Sequence, residues 1–170
     1  MTITMRPALP ADVRAIDALV EPMAHSGILL GKDLVSYYEA VQEFLVAVDE
    51  SGTVVGCGAL HVMWEDLAEV RTLAVHESLR GTGLGHRLLD ALLDRARALG
   101  LERVFCLTFE VEFFRRHGFT EMSEPVHPEL YMELLRSPDE GIAEFLDLAR
   151  VKPNTLGNTR MITALGPAGS

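Results

Sequence analysis

Residues 69–100 read EVRTLAVHESLRGTGLGHRLLDALLDRARALG, and no other stretch limits the fold as much. It opens on Glu69 to Val75, an apolar and β-branched run that reads as a strand. Gly81, Gly83 and Gly85 then fall on every other residue. Behind them Leu84, Leu88, Leu89, Leu92, Ala96 and Leu99 recur at helical spacing, opposite Arg87, Asp90, Asp94 and Arg97. Gly100 is the expected stop. ERVFCLT, from Glu102 to Thr108, reads as a second, buried strand. Strand, turn, helix and strand in that order demand a right-handed parallel crossover. The chain is therefore neither all-β nor a helical bundle.

The glycine turn has a chemistry of its own. A helix N-terminus carries unpaired N–H groups and the positive end of the helix dipole. Glycines let the loop before it curl its amides toward one point, where a phosphate can approach closely. Arg80 adds a charge at the rim. A Walker A loop is excluded, because no lysine follows the glycines. The dinucleotide fingerprint GxGxxG fits poorly, because GTGLG comes late in the chain. An R-x-x-G-x-G turn that holds the pyrophosphate of coenzyme A remains, beside a turn that is merely tight.

The rest of the chain supplies the frame. Ile3 to Arg6 reads as a strand, and Asp12 to Met23 as a helix. Asp33 is placed to cap a second helix carrying Leu34, Tyr37, Tyr38 and Val41. Phe44 to Val48 and Thr53 to Trp64 read as an antiparallel hairpin. Gly56 and Gly58 within it mark a bulge or a close backbone approach. EFFRRHGF reads as a short helix ended by Gly118, with a strand from Phe119. Pro128 to Leu135 and Glu140 to Leu148 look helical, and Arg160 to Leu165 reads as a closing strand. The expectation is an α+β fold, one domain over 1–165, with a disordered tail at 166–170. Its mixed central sheet is antiparallel in the first half.

Charge narrows the function. A net charge of −10 argues against a nucleic-acid partner, which needs a basic face. A local basic pocket can still form from Arg6, Lys32, Arg71, Arg80 and Arg160. No apolar run approaches a membrane span and MTITMRPALP has no signal-peptide pattern, so a cytoplasmic location is expected. Cys57 and Cys106 lie in apolar runs with no metal-ligand spacing, and read as reduced, buried thiols rather than a metal site. His61 and His117 read as locally hydrogen-bonded histidines, and Glu140, Glu144 and Asp147 as a solvated helix face.

From Cys57 to Phe119 the chain resembles the GCN5-related N-acetyltransferase (GNAT) family. The matching pieces are the 69–100 stretch, LERVFCLT and FFRRHGF. GILLGKDLVSYYEAVQEFLVAV and VVGCGALHVMWEDLAEVRTLAV narrow the likeness to the acetyltransferase domain of N-acetylglutamate synthases, and further to the short amino-acid N-acetyltransferases of arginine biosynthesis. The resemblance implies a parallel strand pair that splays apart, with acetyl-CoA in the gap. Leu73, Ala74 and Val75 would line that gap, the amide near Leu73 would face the oxyanion, and Arg80, Gly81, Thr82, Gly83, Leu84, Gly85 and His86 would hold the pyrophosphate.

The same resemblance puts a general base at Glu69, with Glu110 as a rival. It puts a substrate-carboxylate arginine at Arg71; read from the residues alone, Arg160 in the closing strand and Lys32 in the GILLGKD loop are further substrate-binding cations. Phe114 stands where many members have a proton-donating tyrosine, so no acid is assigned. The implied reaction is direct acetyl transfer to the α-amine of glutamate or glutamine, without a metal. Two other readings stay open. One is a GNAT enzyme acting on a protein N-terminus, a lysine or an aminoglycoside; the other is a non-catalytic acetyl-CoA sensor. The chain is compatible with a homodimer under any of these readings.

Overall fold

The computed structural model describes residues 2–26, 32–122, 128–137, 139, 142 and 158–166. Among the described residues seven strands form one sheet: β1 (Thr4–Pro7), β2 (Phe44–Val48), β3 (Val54–Val62), β4 (Leu67–Val75), β5 (Arg103–Thr108), β6 (Thr120–Glu121) and β7 (Thr159–Ala164). Their order is β1-β2-β3-β4-β5-β7-β6. Of these strands only β4 and β5 pair in parallel; the other described neighbours are antiparallel. The helices are α1 (Val13–His25), α2 (Leu34–Glu39), α3 (Leu84–Ala98), α4 (Val111–Arg115) and α5 (Pro128–Leu134). The expected α+β architecture, with its antiparallel first half and one parallel crossover, is what forms.

Both faces of the sheet are covered, which is why β3 reads as a nearly continuous apolar run. On one face Val13, Ile16 and Val20 of α1 and Tyr37 of α2 pack on Phe44, Val46, Cys57, Ala59 and Ala74. On the other, Leu89, Leu92, Leu93 and Ala96 of α3 pack on Leu60, Ala68, Val70 and Val104. Leu88, Leu89 and Leu92 are fully buried. Truncating any one of them to alanine should cost about 2–5 kcal/mol. Gly56 and Gly58 exist because α3 lies so close. A Cβ on them would stand 2.9 Å from Leu88 Cδ1 and 2.8 Å from Leu92 Cδ1, respectively.

Some boundaries differ from expectation. β4 begins at Leu67 rather than Glu69, because Leu67 and Ala68 already pair with Arg103 and Val104. α1 continues through Pro22 to His25. Asp33 does stand at the start of α2, in an extended conformation, but its side chain makes no capping hydrogen bond. Val41 falls in a separate 3-10 turn after α2. The proposed helix over 140–148 and residues 167–170 of the tail lie outside the described residues, apart from Ile142. No described helix is long and apolar enough to cross a membrane.

Candidate active site

The site starts where two strands part. β4 and β5 pair only at Leu67, Ala68 and Glu69, opposite Arg103, Val104 and Phe105. Beyond Glu69 they separate, and β4 keeps a partner only on its β3 side. A bulge makes the split sharper. Cys57 pairs with Ala74 and Ala59 with Arg71, so the single residue Gly58 faces both Thr72 and Leu73. Thr72 takes up the extra length at φ +55°, a strained value for a β-branched residue. The bulge also shifts the alternation of side chains by one. Val70 and Leu73 both pack toward α3, whereas Ala74 packs toward α1.

The gap between the strands is a cleft of about 840 Å³. Glu69, Arg71, Thr72, Leu73 and Val75 line it from β4; Cys106, Leu107 and Thr108 from β5; Phe109, Glu110, Phe113 and Phe114 from the turn into α4 and from α4 itself. Its floor is the glycine turn. Gly81 (φ +78°) and Gly83 (φ +86°) sit in the left-handed region with open space where a Cβ would be. Gly85 is needed for a different reason: a Cβ there would stand 3.3 Å from Phe113 Cε2. Gly83 caps α3, and the first carbonyl bond of the helix runs from Arg87 N–H to Gly83 O. The amides of Leu84, Gly85 and His86 are thereby left for a ligand.

At the apex lies a charged cluster. Glu69 and Arg71 point the same way from β4 because they are two residues apart, and both are buried. Arg71 Nε donates to Glu69 Oε1 at 2.8 Å. Its two terminal nitrogens grip Asp139, with Nη1 to Oδ2 at 3.0 Å and Nη2 to Oδ1 at 2.6 Å. Burial pushes the Asp139 carboxyl up, but the hydrogen bonds and charge of Arg71 outweigh it and hold it at about 2. Burial opposes the charge on Arg71 as well, and Glu69 and Asp139 more than compensate, so its pKa is raised. Lys32 lines the same part of the cleft, and burial together with the nearby Arg71 charge lowers its pKa.

Eleven of the fourteen residues expected at the site line the cleft: Lys32, Glu69, Arg71, Leu73, Val75, Arg80, Gly81, Gly83, Leu84, Gly85 and His86. The other three do not. Ala74 is turned into the α1 core by the bulge. Thr82 closes the turn on itself, its hydroxyl donating to Leu79 O at 2.6 Å. Arg160 lies on β7, opposite Leu107, one strand beyond the cleft wall. Glu110 is at the rim and exposed. Arg6 is taken by Asp12 at 2.7 Å. His61 pairs with Glu43 at 2.9 Å, and His117 with His86 at 2.6 Å.

Asp139 and the Thr72 bulge escape sequence reasoning. Asp139 is 68 residues from Arg71, and only a covariation signal would link them. The bulge leaves one trace, the glycine at position 58 opposite it. Burial raises both thiols, Cys57 to about 12 and Cys106 further still, so neither is poised as a nucleophile.

A parallel pair that opens over a glycine-turned helix N-terminus defines a class, and the sequence agrees: the chain belongs to the GNAT acetyltransferase family, whose model (Acetyltransferase (GNAT) family) matches residues 18–119. Within it, an amino-acid acetyltransferase of Mycobacterium tuberculosis is 57% identical over 164 residues, which is 95% of this chain and 94% of that protein. A Mycobacterium tuberculosis protein crystallised in complex with CoA and NLQ shares the fold with a TM-score of 0.89 at 56% identity, over 96% of this chain and 99% of that one. An N-acetylglutamate synthase from Neisseria gonorrhoeae, complexed with coenzyme A and N-acetyl-glutamate, has a TM-score of 0.78 at 26% identity. That match covers 98% of this chain but only 36% of the synthase.

Proposed function

We propose that this chain is an acetyl-CoA-dependent amino-acid N-acetyltransferase that moves acetyl directly to the α-amine of glutamate or glutamine. The observation that carries the reading is the pairing of the glycine-turn floor with the Arg71 guanidinium fork at the acceptor end of one cleft. The first half fits a diphosphate: two positive-φ glycines, open space at both, and unpaired helix amides above them. The apolar wall of Leu79, Phe109 and Phe113 fits the rest of a coenzyme A molecule. When bound, acetyl-CoA supplies the activated acyl group.

The residues of this chain do the rest. The Arg71 fork holds an acceptor carboxylate bidentately, which fixes the amine as well as binding it. Lys32 and Arg71 give that end of the cleft a matching charge. Glu69, at the apex where the strands part, removes a proton from the acceptor ammonium, directly or through water, so that a lone pair is available. The Leu73 amide, re-aimed by the bulge, donates to the carbonyl oxygen as it gains charge. Phe114 cannot donate a proton; the thiolate leaves unaided, since thiol pKa values are about 8.5, and the second proton that the acceptor nitrogen loses as the amide forms passes to water or to the departing sulfur. The cleft holds both reactants in contact, an effect worth several kcal/mol at least.

Charge favours this acceptor over a cationic one. The ionised groups of the cleft and its apex, among the described residues, are four cations, Lys32, Arg71, Arg80 and Arg116, against three carboxylates, Glu69, Glu110 and Asp139. A lysine side chain or an aminoglycoside brings no carboxylate for the Arg71 fork to hold. The 57% identical relative bears the amino-acid activity in its name. Buried, unpaired Cys57 and Cys106 suit a reducing cytoplasm. We carry a homodimer forward as the assembly, on the exposed apolar side chains Met132 and Leu135 of and beside α5; light scattering tests it.

The deciding assay is thiol release from acetyl-CoA across the twenty amino acids, an aminoglycoside and an N-terminal peptide. Turnover with glutamate or glutamine well above the others is expected. Turnover only with the aminoglycoside or peptide overturns the acceptor, and acetyl-CoA binding without turnover overturns the enzyme.

A further inference from the structure

Arg71 has its terminal nitrogens filled. The end of the guanidinium that a ligand carboxylate would grip is gripped by Asp139, in the two-bond geometry that such a ligand would adopt. We propose that Asp139 is an internal competitor of the acceptor, so that acceptor binding is the exchange of one carboxylate for another on the Arg71 fork. This rests on the reading of Arg71 as the acceptor-carboxylate residue.

Three observations single out Asp139, rather than Glu69, as the group that leaves. Glu69 and Arg71 belong to the same strand and are equally buried, with side chains 6% and 7% exposed, whereas that of Asp139 is 28% exposed. Glu69 holds Nε, at the side of the guanidinium, and its bond leaves the outer fork untouched. Asp139 also has a second role that survives release. Its Oδ1 accepts the Ile142 amide at 3.0 Å, and its own amide donates to Ser137 Oγ at 3.2 Å. Ile142 is packed against Leu130, Leu134 and Phe105. Leaving Arg71 therefore does not strand the carboxylate without a partner.

Charge makes the exchange selective. Arg71 and Lys32 are balanced by Glu69 and Asp139, so the cluster is neutral with Asp139 seated. A carboxylate-bearing acceptor restores that balance when it takes the fork. An acceptor with no carboxylate leaves the buried Arg71 and the half-buried Lys32 against one anion, an outcome that burial makes costly. The apparent acceptor affinity is then set by the fraction of molecules whose fork is open.

The test is steady-state kinetics on the full chain with Asp139→Asn and Asp139→Ser. Both keep an acceptor for the Ile142 amide and remove the competing charge. The KM for glutamate or glutamine should fall by at least about threefold, the reciprocal of the open fraction, with no matching fall in the KM for acetyl-CoA. A thermal melt of each variant confirms that it is folded, and the serine variant serves if the asparagine variant is not. An unchanged or higher amino-acid KM in a folded variant overturns the proposal and makes Asp139 a positioning residue for Arg71. Arg71→Lys, which keeps the charge and loses the fork, separates the two claims. If it leaves the amino-acid KM unchanged, the acceptor reading of Arg71 fails and the competitor with it. If it raises that KM while the Asp139 variants do not lower it, the competitor alone fails.

Discussion

The two ends of the cleft are built from different materials. The floor is backbone: glycines 81, 83 and 85 and the amides that follow them, all within six residues. The apex is side chain: Lys32, Glu69, Arg71 and Asp139, drawn from β4, from the segment before α2 and from beyond α5. A backbone site depends on local dihedral angles, so its residues must be contiguous. A side-chain site depends on charge balance, so its members need only converge. The floor should therefore respond to changes of shape and the apex to changes of charge, each acting on a different substrate.

The largest effect should come at the apex. Glu69→Gln keeps the hydrogen bond from Arg71 Nε and removes the ability to take a proton. It should lower kcat by about 10²–10⁴ at neutral pH. The loss should shrink as pH rises, because more of the acceptor amine is then already neutral. Initial rates from pH 6.5 to 9.5 check this, and a loss that does not change with pH would remove Glu69 as the base. The KM for acetyl-CoA should stay within a factor of about two, because the charge at the apex does not reach the floor.

The floor gives the next effect. Gly83→Ala meets no neighbouring atom but must hold φ at +86°. That conformation costs an alanine roughly 1–2 kcal/mol, enough to raise the KM for acetyl-CoA by about five- to thirtyfold if the turn relaxes. Gly85→Ala has ordinary helical backbone and instead presses on Phe113 at 3.3 Å. Phe113 stacks on His86, their ring centroids 4.5 Å apart, and His86 bonds His117. The strain spreads over that aromatic cluster, so Gly85→Ala should raise the same KM by less than Gly83→Ala. Neither should move the amino-acid KM. Comparable rises in both KM values would show that floor and apex are one coupled unit.

The same difference decides how much could be read from the sequence. The floor was legible because a turn that needs positive φ has to be written in glycine, and because α3 announces itself through six buried apolar positions at helical spacing. The parallel crossover, the hairpin of β2 and β3 and the closing strand β7 followed from periodicity. Two positions at the apex were legible too, since alternation along β4 puts Glu69 and Arg71 on one face. What closes over them was not. No local rule ties Asp139 to Arg71. A β-branched Thr72 at φ +55° runs against propensity, and tertiary packing of β4 between β3 and α3 imposes it. Arg160 is expected at the substrate from its charge and its place in the closing strand. Its place in the sheet, one strand past β5, follows only from β7 inserting between β5 and β6.

The smallest effect concerns stability, and it isolates the apex from catalysis. Asp139 is held at about 2, where burial alone would have raised it, because Arg71 donates to both of its oxygens. A carboxyl whose folded pKa lies below its unfolded value of about 3.9 stabilises the fold at pH values above that figure. The contribution then fades as pH falls toward 2. Wild type should therefore be more stable than Asp139→Asn near pH 7, by a margin that solvent screening keeps modest at this partly exposed group. The margin should close progressively between about pH 4 and pH 2. Urea titrations of both proteins across that window measure it, with Gly83→Ala as the contrast, since its backbone strain does not titrate and its deficit should stay constant. A gap between wild type and Asp139→Asn that persists at pH 2 would mean that shape, not charge, seats Asp139 on the fork. The apex would then obey the rule assigned to the floor.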